Sequence, residues 1–533
     1  MPLSRRDALT RLAALAATMS ALARSGWAQL DSNAPDPLDG TIAQFQAGRR
    51  LGKWTSEEVT RQALERSRAA STRWRAIDVL SPTALDEARA SDQRGKDGAL
   101  LGPLDGVPLF AKSIYDMKGL PTTGSNAEWA RIFLGPVRRD AVEVIRLRAA
   151  GAVVLGKTAA DDFAFHGNGT SSLTGQVLNP YDPTGTRTPG GSSAGSAVSV
   201  ATGTAFVGMG TDDGGSNRIP AQFTGVVGVK PTFGLLPRYG VIPTWPYLDT
   251  HGPLSRFVAD SALVLAAIAG PHEADPLVLT TPWNGPSQLE LRDDALQGVR
   301  IGVVEANIAR SQMAPEAVAA WDRAVANLKA AGAIVDAFDA PVTAPNYQDL
   351  FAAAARERGD VAVNDWTPPP TINALYLYFA GRSDDPRGDM RKGYPAFQAF
   401  YSDLPKTFEE AEKYLEAPMI EDPAGQSFAR SRASVVRQLT DAMRKAEVQA
   451  MVWPTMPFNA TPIDGKWPKI RTTLSYNNWL GLPEVSVPSG YGADGMPALN
   501  LSVVGFPGDD LRVLALAHAY ERQSRMFRFP PVR

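Results

Sequence analysis

Short apolar runs alternate with stretches of helical spacing along most of this chain, and no other feature limits its fold as strongly. Thr55-Ser56-Glu57-Glu58 forms a capping box, with Trp54 and Val59 where a hydrophobic staple would close, so a helix starts there. Asp140 is placed to cap a second helix through Ala150, and Gly151 ends it. Val153-Val154-Leu155 then reads as a short buried strand. The same rhythm returns with a strand at Arg300 to Val304, a helix from Ala317 to Ala331 and a strand at Ala333 to Val335. Near the end, Ala498 to Val504 is strand-like and Asp509 caps a helix reaching Glu521. Such alternation predicts an α/β sandwich around one large sheet. Residues from about 350 to 445 are richer in aromatic and charged side chains at helical spacing, and read as an inserted helical layer. No Gly/Ser linker, low-complexity block or repeat divides the 533 residues, so one domain is expected.

Composition removes several kinds of chemistry. With no cysteine there are no disulfides, thiolate nucleophiles, iron–sulfur clusters or cysteine-ligated zinc. His166, His251, His272 and His518 are far apart and form no HExxH or HxH pattern, so neither a metal nor another cofactor is expected. A net charge of −2 gives no electrostatic reason to bind nucleic acid or a membrane surface. A small-molecule partner is expected instead, and a homodimer is compatible with the sequence.

Residues 1–28 read as an export signal. Arg5 and Arg6 precede an apolar run from Leu12 to Ala23, too short to span a bilayer. Gly26-Trp27-Ala28 places small residues where a signal peptidase would cut. Paired arginines before a mild apolar segment resemble a twin-arginine signal, which predicts a periplasmic mature protein without a membrane anchor. The domain would then be residues 29–533.

Two motifs are decoys. Gly151-Ala-Val-Val-Leu-Gly156-Lys157-Thr158 spells a Walker A loop, but a P-loop needs an open turn where this chain has a buried apolar run. Gly191-Ser192-Ser193-Ala194-Gly195 spells a nucleophile elbow with Ser193 as nucleophile. That machine needs a late histidine on a loop, and the one late histidine, His518, falls within a helical stretch. A serine hydrolase with a base other than histidine fits better.

Longer motifs carry a resemblance. Gly106 to Lys112, Gly119 to Ser125, Pro189 to Ser193, Gly210 to Ser216, Arg218 to Ala221 and Gly225 to Thr232 together resemble the amidase signature family. The likeness spans roughly residues 40–525, centres on a signature core at about 96–275 and is weakest at 340–470. It implies a three-layer α/β/α sandwich around a large mixed sheet, with the helical layer at 350–445 roofing the pocket. It also implies a Ser–Ser–Lys triad: Ser216 as nucleophile, Ser192 as bridging serine after a cis peptide bond, and Lys112 as base. Lysine takes a proton only when neutral, and burial favours the neutral form. By the same resemblance, the backbone N–H groups of Asp213, Gly214 and Gly215 form the oxyanion hole with that of Ser216.

Ser193, Asp212 and Arg218 are expected to support the site, and His166 and Asn217 to touch substrate. Ser113, Ala194 and Asn217 depart from the usual family pattern beside the site. The implied activity is hydrolysis of a carboxamide through an acyl-enzyme, extending to esters or carbamates in some relatives. Aromatic residues at Trp366, Tyr376, Tyr378, Phe379, Tyr394, Phe397, Phe400 and Tyr401, with Trp453, Phe458, Tyr476 and Trp479, predict an apolar or aryl pocket. A binding protein that has lost catalysis and the glutaminase component of a tRNA amidotransferase are the alternatives; the expected export signal opposes the second.

Overall fold

The computed structural model describes residues 36–531, apart from 276, 279–288, 362–368, 383, 402–403 and 416–420. The expected export signal and Trp366 lie outside the described residues. An eleven-stranded mixed sheet runs through the molecule. In chain order its strands are β1 (Ile77–Leu80), β2 (Pro108–Lys112), β3 (Val153–Thr158), β4 (Val207–Asp212), β5 (Val227–Lys230) and β6 (Thr250–Ser255). They continue with β7 (Arg300–Val303), β8 (Ile334–Ala337), β9 (Ala450–Pro454), β10 (Glu484–Tyr491) and β11 (Pro497–Val504). Across the sheet the order is β1-β3-β2-β4-β6-β5-β10-β11-β9-β7-β8.

Parallel pairing joins β2 to β3 and to β4, and β7 to β8 and to β9; the remaining neighbours are antiparallel. The α/β architecture read from the sequence is therefore present. Strands β2, β3 and β4 are buried along their whole length, which is why Val153-Val154-Leu155 reads as a continuous apolar run rather than an alternating one. Lys112 ends β2 and Asp212 ends β4, so two adjacent parallel strands deliver polar groups to one edge, where α/β sheets place their ligands.

Most local signals hold. Thr55 accepts from the Glu58 N–H at 3.1 Å and Glu58 returns the bond to the Thr55 N–H at 2.7 Å, starting the helix Ser56–Trp74. Asp140 is a correction. The second helix, Val142–Ala149, begins after Ala141 with no side-chain cap, because Asp140 instead accepts from the Lys118 N–H at 2.7 Å. Asp509 occupies the cap position of the last helix, Asp510–Ser524, without making the capping bond. The Walker-like segment is strand β3, and Lys157 within it is buried, donating to Pro121 O and the Thr122 hydroxyl.

The helical layer consists of Tyr347–Arg358, Pro369–Phe379, Pro386–Gln398, Phe408–Glu412 and Pro423–Lys445. Most of its aromatic side chains pack against other rings. Tyr378, Phe379, Tyr394, Phe397 and Tyr401 are buried, and the Phe379 and Phe397 rings pack on Trp129, with Phe397 also on Phe163. Trp453 and Tyr476 are buried against each other, and Trp479 packs on Phe351 and Phe428. Composition shows the density of rings but not that they satisfy one another.

Candidate active site

Lys112 is fully buried, and its Nζ donates to Ser192 Oγ at 2.7 Å and to Thr211 Oγ1 at 2.9 Å. Loss of water favours the neutral amine and lowers its pKa to about 8, against the opposing pull of Asp213, Asp161, Asp249 and Asp212. The Gly191–Ser192 peptide is cis. Asp161 lies directly against it: a Cβ on Gly191 would come 2.0 Å from Asp161 Oδ2, so only glycine fits there. The Asp161 carboxyl accepts from the Gly169 N–H at 2.9 Å and the Thr170 N–H at 2.8 Å, while its own N–H donates to Ser192 O at 3.3 Å. Burial raises this carboxyl to about 6. Nothing in the local sequence singles Asp161 out; its importance comes from packing.

Ser216 sits on the loop between β4 and the helix Arg218–Phe223, and is 8% exposed where Lys112, Ser192 and Ser193 are sealed. The loop is held from two sides. Ser193 donates its N–H to Ser216 O at 3.1 Å, and its hydroxyl bridges the Thr211 carbonyl and N–H at 3.2 and 3.3 Å. Ser193 thus ties the cis-peptide segment to β4 and to the Ser216 loop. His518, by contrast, lies in the final helix beside Asp293 and Glu521.

On the other side, the Asp212 carboxylate accepts from the N–H groups of Gly215 (2.8 Å) and Asn217 (3.1 Å). It also accepts from Arg218 Nε (3.0 Å) and Nη2 (2.8 Å), and from Asn478 Nδ2 (3.1 Å). Arg218 extends the network to Glu484 at 2.7 Å, Leu474 O at 3.1 Å and Asn478 Oδ1 at 2.5 Å. These contacts hold the Asp212 carboxyl far below the usual range despite its burial. The expected pairing of Asp212 with Arg218 is present, whereas Asn478 and Glu484 have no local signal because they join from more than 250 residues away.

Two expectations are corrected. The Gly215 N–H is committed to Asp212, so it does not face an oxyanion; Gly215 is needed instead for its φ of +115° and because a Cβ would strike Leu474 at 2.7 Å. Asn217 does not reach substrate. Its side chain is sealed within the fold, donating to Val229 O and Gly252 O at 3.1 Å each, and so ties the loop to β5 and β6. His166 is exposed, edge-on to Phe165 and facing Phe400. Gly214 is exposed, and a Cβ there would have only Ser475 Oγ nearby, at 3.9 Å.

The Amidase family model matches residues 58–514. The A subunit of glutamyl-tRNA(Gln) amidotransferase from Symbiobacterium thermophilum is 34% identical over 490 residues, covering 89% of this chain and 94% of the relative. The structure of peptide amidase from Stenotrophomonas maltophilia superposes with a TM-score of 0.74 at 32% identity, covering 93% of this chain and 99% of that one. A bacterial aryl acylamidase, 21% identical with a TM-score of 0.68, shares the fold over 93% of this chain and 99% of its own. With its family model matched over most of its length and its fold shared with solved amidases, this chain belongs to the amidase signature family and is an amide-hydrolysing enzyme.

Proposed function

We propose that the chain cleaves carboxamides through an acyl-enzyme on Ser216, with Ser192 and Lys112 moving the proton. The observation carrying this reading is a buried lysine 2.7 Å from a serine hydroxyl, with no solvent to compete for either group. Neutral Lys112 takes the Ser192 proton as Ser192 takes that of Ser216, and Ser216 Oγ attacks the carbonyl carbon. The resulting oxyanion receives main-chain N–H groups from Asp213, Gly214 and Ser216. The C–N bond then breaks, the proton returns through Ser192 to the departing nitrogen, and the amine leaves. Water attacks the ester by the same route in reverse, releasing the carboxylate and restoring Ser216.

An apolar surface leads outward from the loop. Ile219 and Leu474 crowd Gly215; Ile219 and Trp467 crowd Gly167; His166, the half-exposed Phe165 and Phe400 follow. This surface, rather than the packed rings of the helical layer, supports a preference for an aryl or medium-chain amide over acetamide or free glutamine. The tRNA amidotransferase relatives favour a second reading, a component of an amidotransferase working in a complex, while the paired arginines at Arg5 and Arg6 favour export and action in the periplasm. A fluorophosphonate probe should label Ser216, and the purified protein should hydrolyse the aryl amide fastest of these four substrates. Preference for glutamine would favour the amidotransferase reading. Export is read separately, by fusing residues 1–35 to a folded reporter with Arg5 and Arg6 intact or both changed to Lys; full export of the altered fusion refutes the twin-arginine route.

A further inference from the structure

Proton uptake by Lys112 creates an ammonium in a fully buried place, where its two polar contacts, Ser192 Oγ and Thr211 Oγ1, are uncharged hydroxyls. A buried cation is costly unless an opposite charge faces it. The carboxyls that supply this field are, in falling order, those of Asp213, Asp161, Asp249 and Asp212. Their other commitments separate them.

Asp212 is ion-paired with the buried Arg218 at 2.8 Å. Asp249 lies 3.4 Å from His251, a ring that also meets Glu143 at 3.2 Å. Asp213 faces Asp249 and the Thr244 hydroxyl, and burial with the facing Asp249 pushes its carboxyl well up, because neighbouring carboxylates resist ionising together. Asp161 is different. Its oxygens accept from main-chain N–H groups, Gly169 at 2.9 Å and Thr170 at 2.8 Å, and among the described residues no Arg or Lys forms an ion pair with it. The charged groups facing it are Lys112 and then His166.

Asp161 is also built into the segment that carries Ser192. Its N–H donates to Ser192 O at 3.3 Å, and Ala159 O accepts from the Gly195 N–H at 2.9 Å, so residues 159–161 flank residues 192–195. The Asp161 carboxyl presses on Gly191, where a Cβ would come 2.0 Å from Oδ2. The side chain thus reaches the residue directly before the serine that Lys112 contacts. Burial raises Asp161 to about 6 and lowers Lys112 to about 8. Between those values the carboxylate is already charged while the amine still holds its proton.

We propose that Asp161 is a positioning residue that holds the Ser192 segment against Lys112 and supplies the counter-charge to the ammonium formed when Lys112 accepts the proton. The inference rests on Lys112 being the base and Ser216 the nucleophile. The proton passes from Ser192 Oγ to Lys112 Nζ as Ser192 takes that of Ser216, and it returns by the same path. Asp161 neither gains nor loses one.

The full-length protein is assayed for kcat/KM against pH on an aryl amide, beside Asp161→Asn, which keeps the shape and removes the charge. The midpoint near 8 should fall by about half a pH unit or more, since a facing carboxylate favours the charged amine. At the alkaline plateau kcat should fall about tenfold while KM changes by less than about twofold, because the lost charge acts on the proton transfer and not on substrate binding. Asp161→Ser still accepts one N–H, should move the midpoint the same way, and serves if Asp161→Asn does not fold. An unmoved midpoint in either folded variant overturns the proposal: a carboxylate that only tied Gly169 and Thr170 would lower Tm and kcat without changing the titration of Lys112. A flat native profile, or fluorophosphonate labelling that persists in Ser216→Ala, is a separate result that removes the triad reading and this inference with it.

Discussion

Lys112 and Lys157 lie on neighbouring strands, with Ala111 opposite Lys157 and Lys112 opposite Thr158. Both are fully buried, and burial lowers each to about 8. Their partners differ. Lys157 donates to a main-chain carbonyl, Pro121 O, at 2.6 Å and to the Thr122 hydroxyl at 2.9 Å, and that hydroxyl is already spent as a donor to Asp116 at 2.6 Å. Neither partner has a proton to give, so Lys157 is fixed as a donor inside the core. Lys112 meets Ser192, whose hydroxyl proton is not committed elsewhere and which stands on the segment tied to the Ser216 loop. A lowered pKa is thus a result of burial shared by both lysines, and only the partner sets Lys112, the proposed base, apart.

The contrast can be broken by substitution. Ser216→Ala should reduce kcat/KM by about 10⁴-fold or more, the usual scale for losing a nucleophile. Lys112→Ala should cost about 10³-fold, leaving what substrate binding and the oxyanion donors still provide. In the native protein kcat/KM should rise with pH through about 8, because Lys112 acts only when deprotonated and its neutral form dominates above that value. A flat profile from pH 5 to 9 would rule it out as the base. Ser193→Ala removes a bridge to Thr211 and should cost about fivefold, as a lost hydrogen bond of about 1 kcal/mol gives. An inactive Ser193→Ala beside an active Ser216→Ala would reverse the assignment of the nucleophile. Lys157→Met should lower Tm, since Pro121 O and Thr122 lose their donor at a cost of about 1–3 kcal/mol. Its kcat/KM should change by less than about threefold and the pH midpoint should not move. If that midpoint moves instead, the two lysines are coupled and the contrast fails.

What can be read from the sequence follows the range of the interactions. Lys112, Ser192 and Ser216 stand out in the sequence only through the family resemblance of the short motifs that hold them, and the fold then sets Lys112 beside Ser192. The strand identity of Val153–Leu155 follows from continuous apolar character. Asn217 misleads because a polar residue beside a nucleophile looks solvent-facing, yet the turn after β4 sends its amide inward to Val229 and Gly252. Asp140 carries a valid capping signal that the Lys118 N–H intercepts. Asp161, Asn478 and Glu484 leave no local trace, since their roles exist only once distant segments meet.

The Asp212 network also bears on when the protein becomes competent during synthesis. Lys112, Ser192 and Ser216 all leave the ribosome before the sheet is complete. The groups that fix the Ser216 loop from outside, Leu474 and Asn478 and then Glu484 on β10, are among the last to emerge. A nascent chain therefore carries every proposed catalytic side chain for most of its translation without a positioned site. With Ser216 as the proposed nucleophile, activity should await the docking of the C-terminal segment on Arg218, which would make the far end of the chain the assembly signal for chemistry encoded near its beginning.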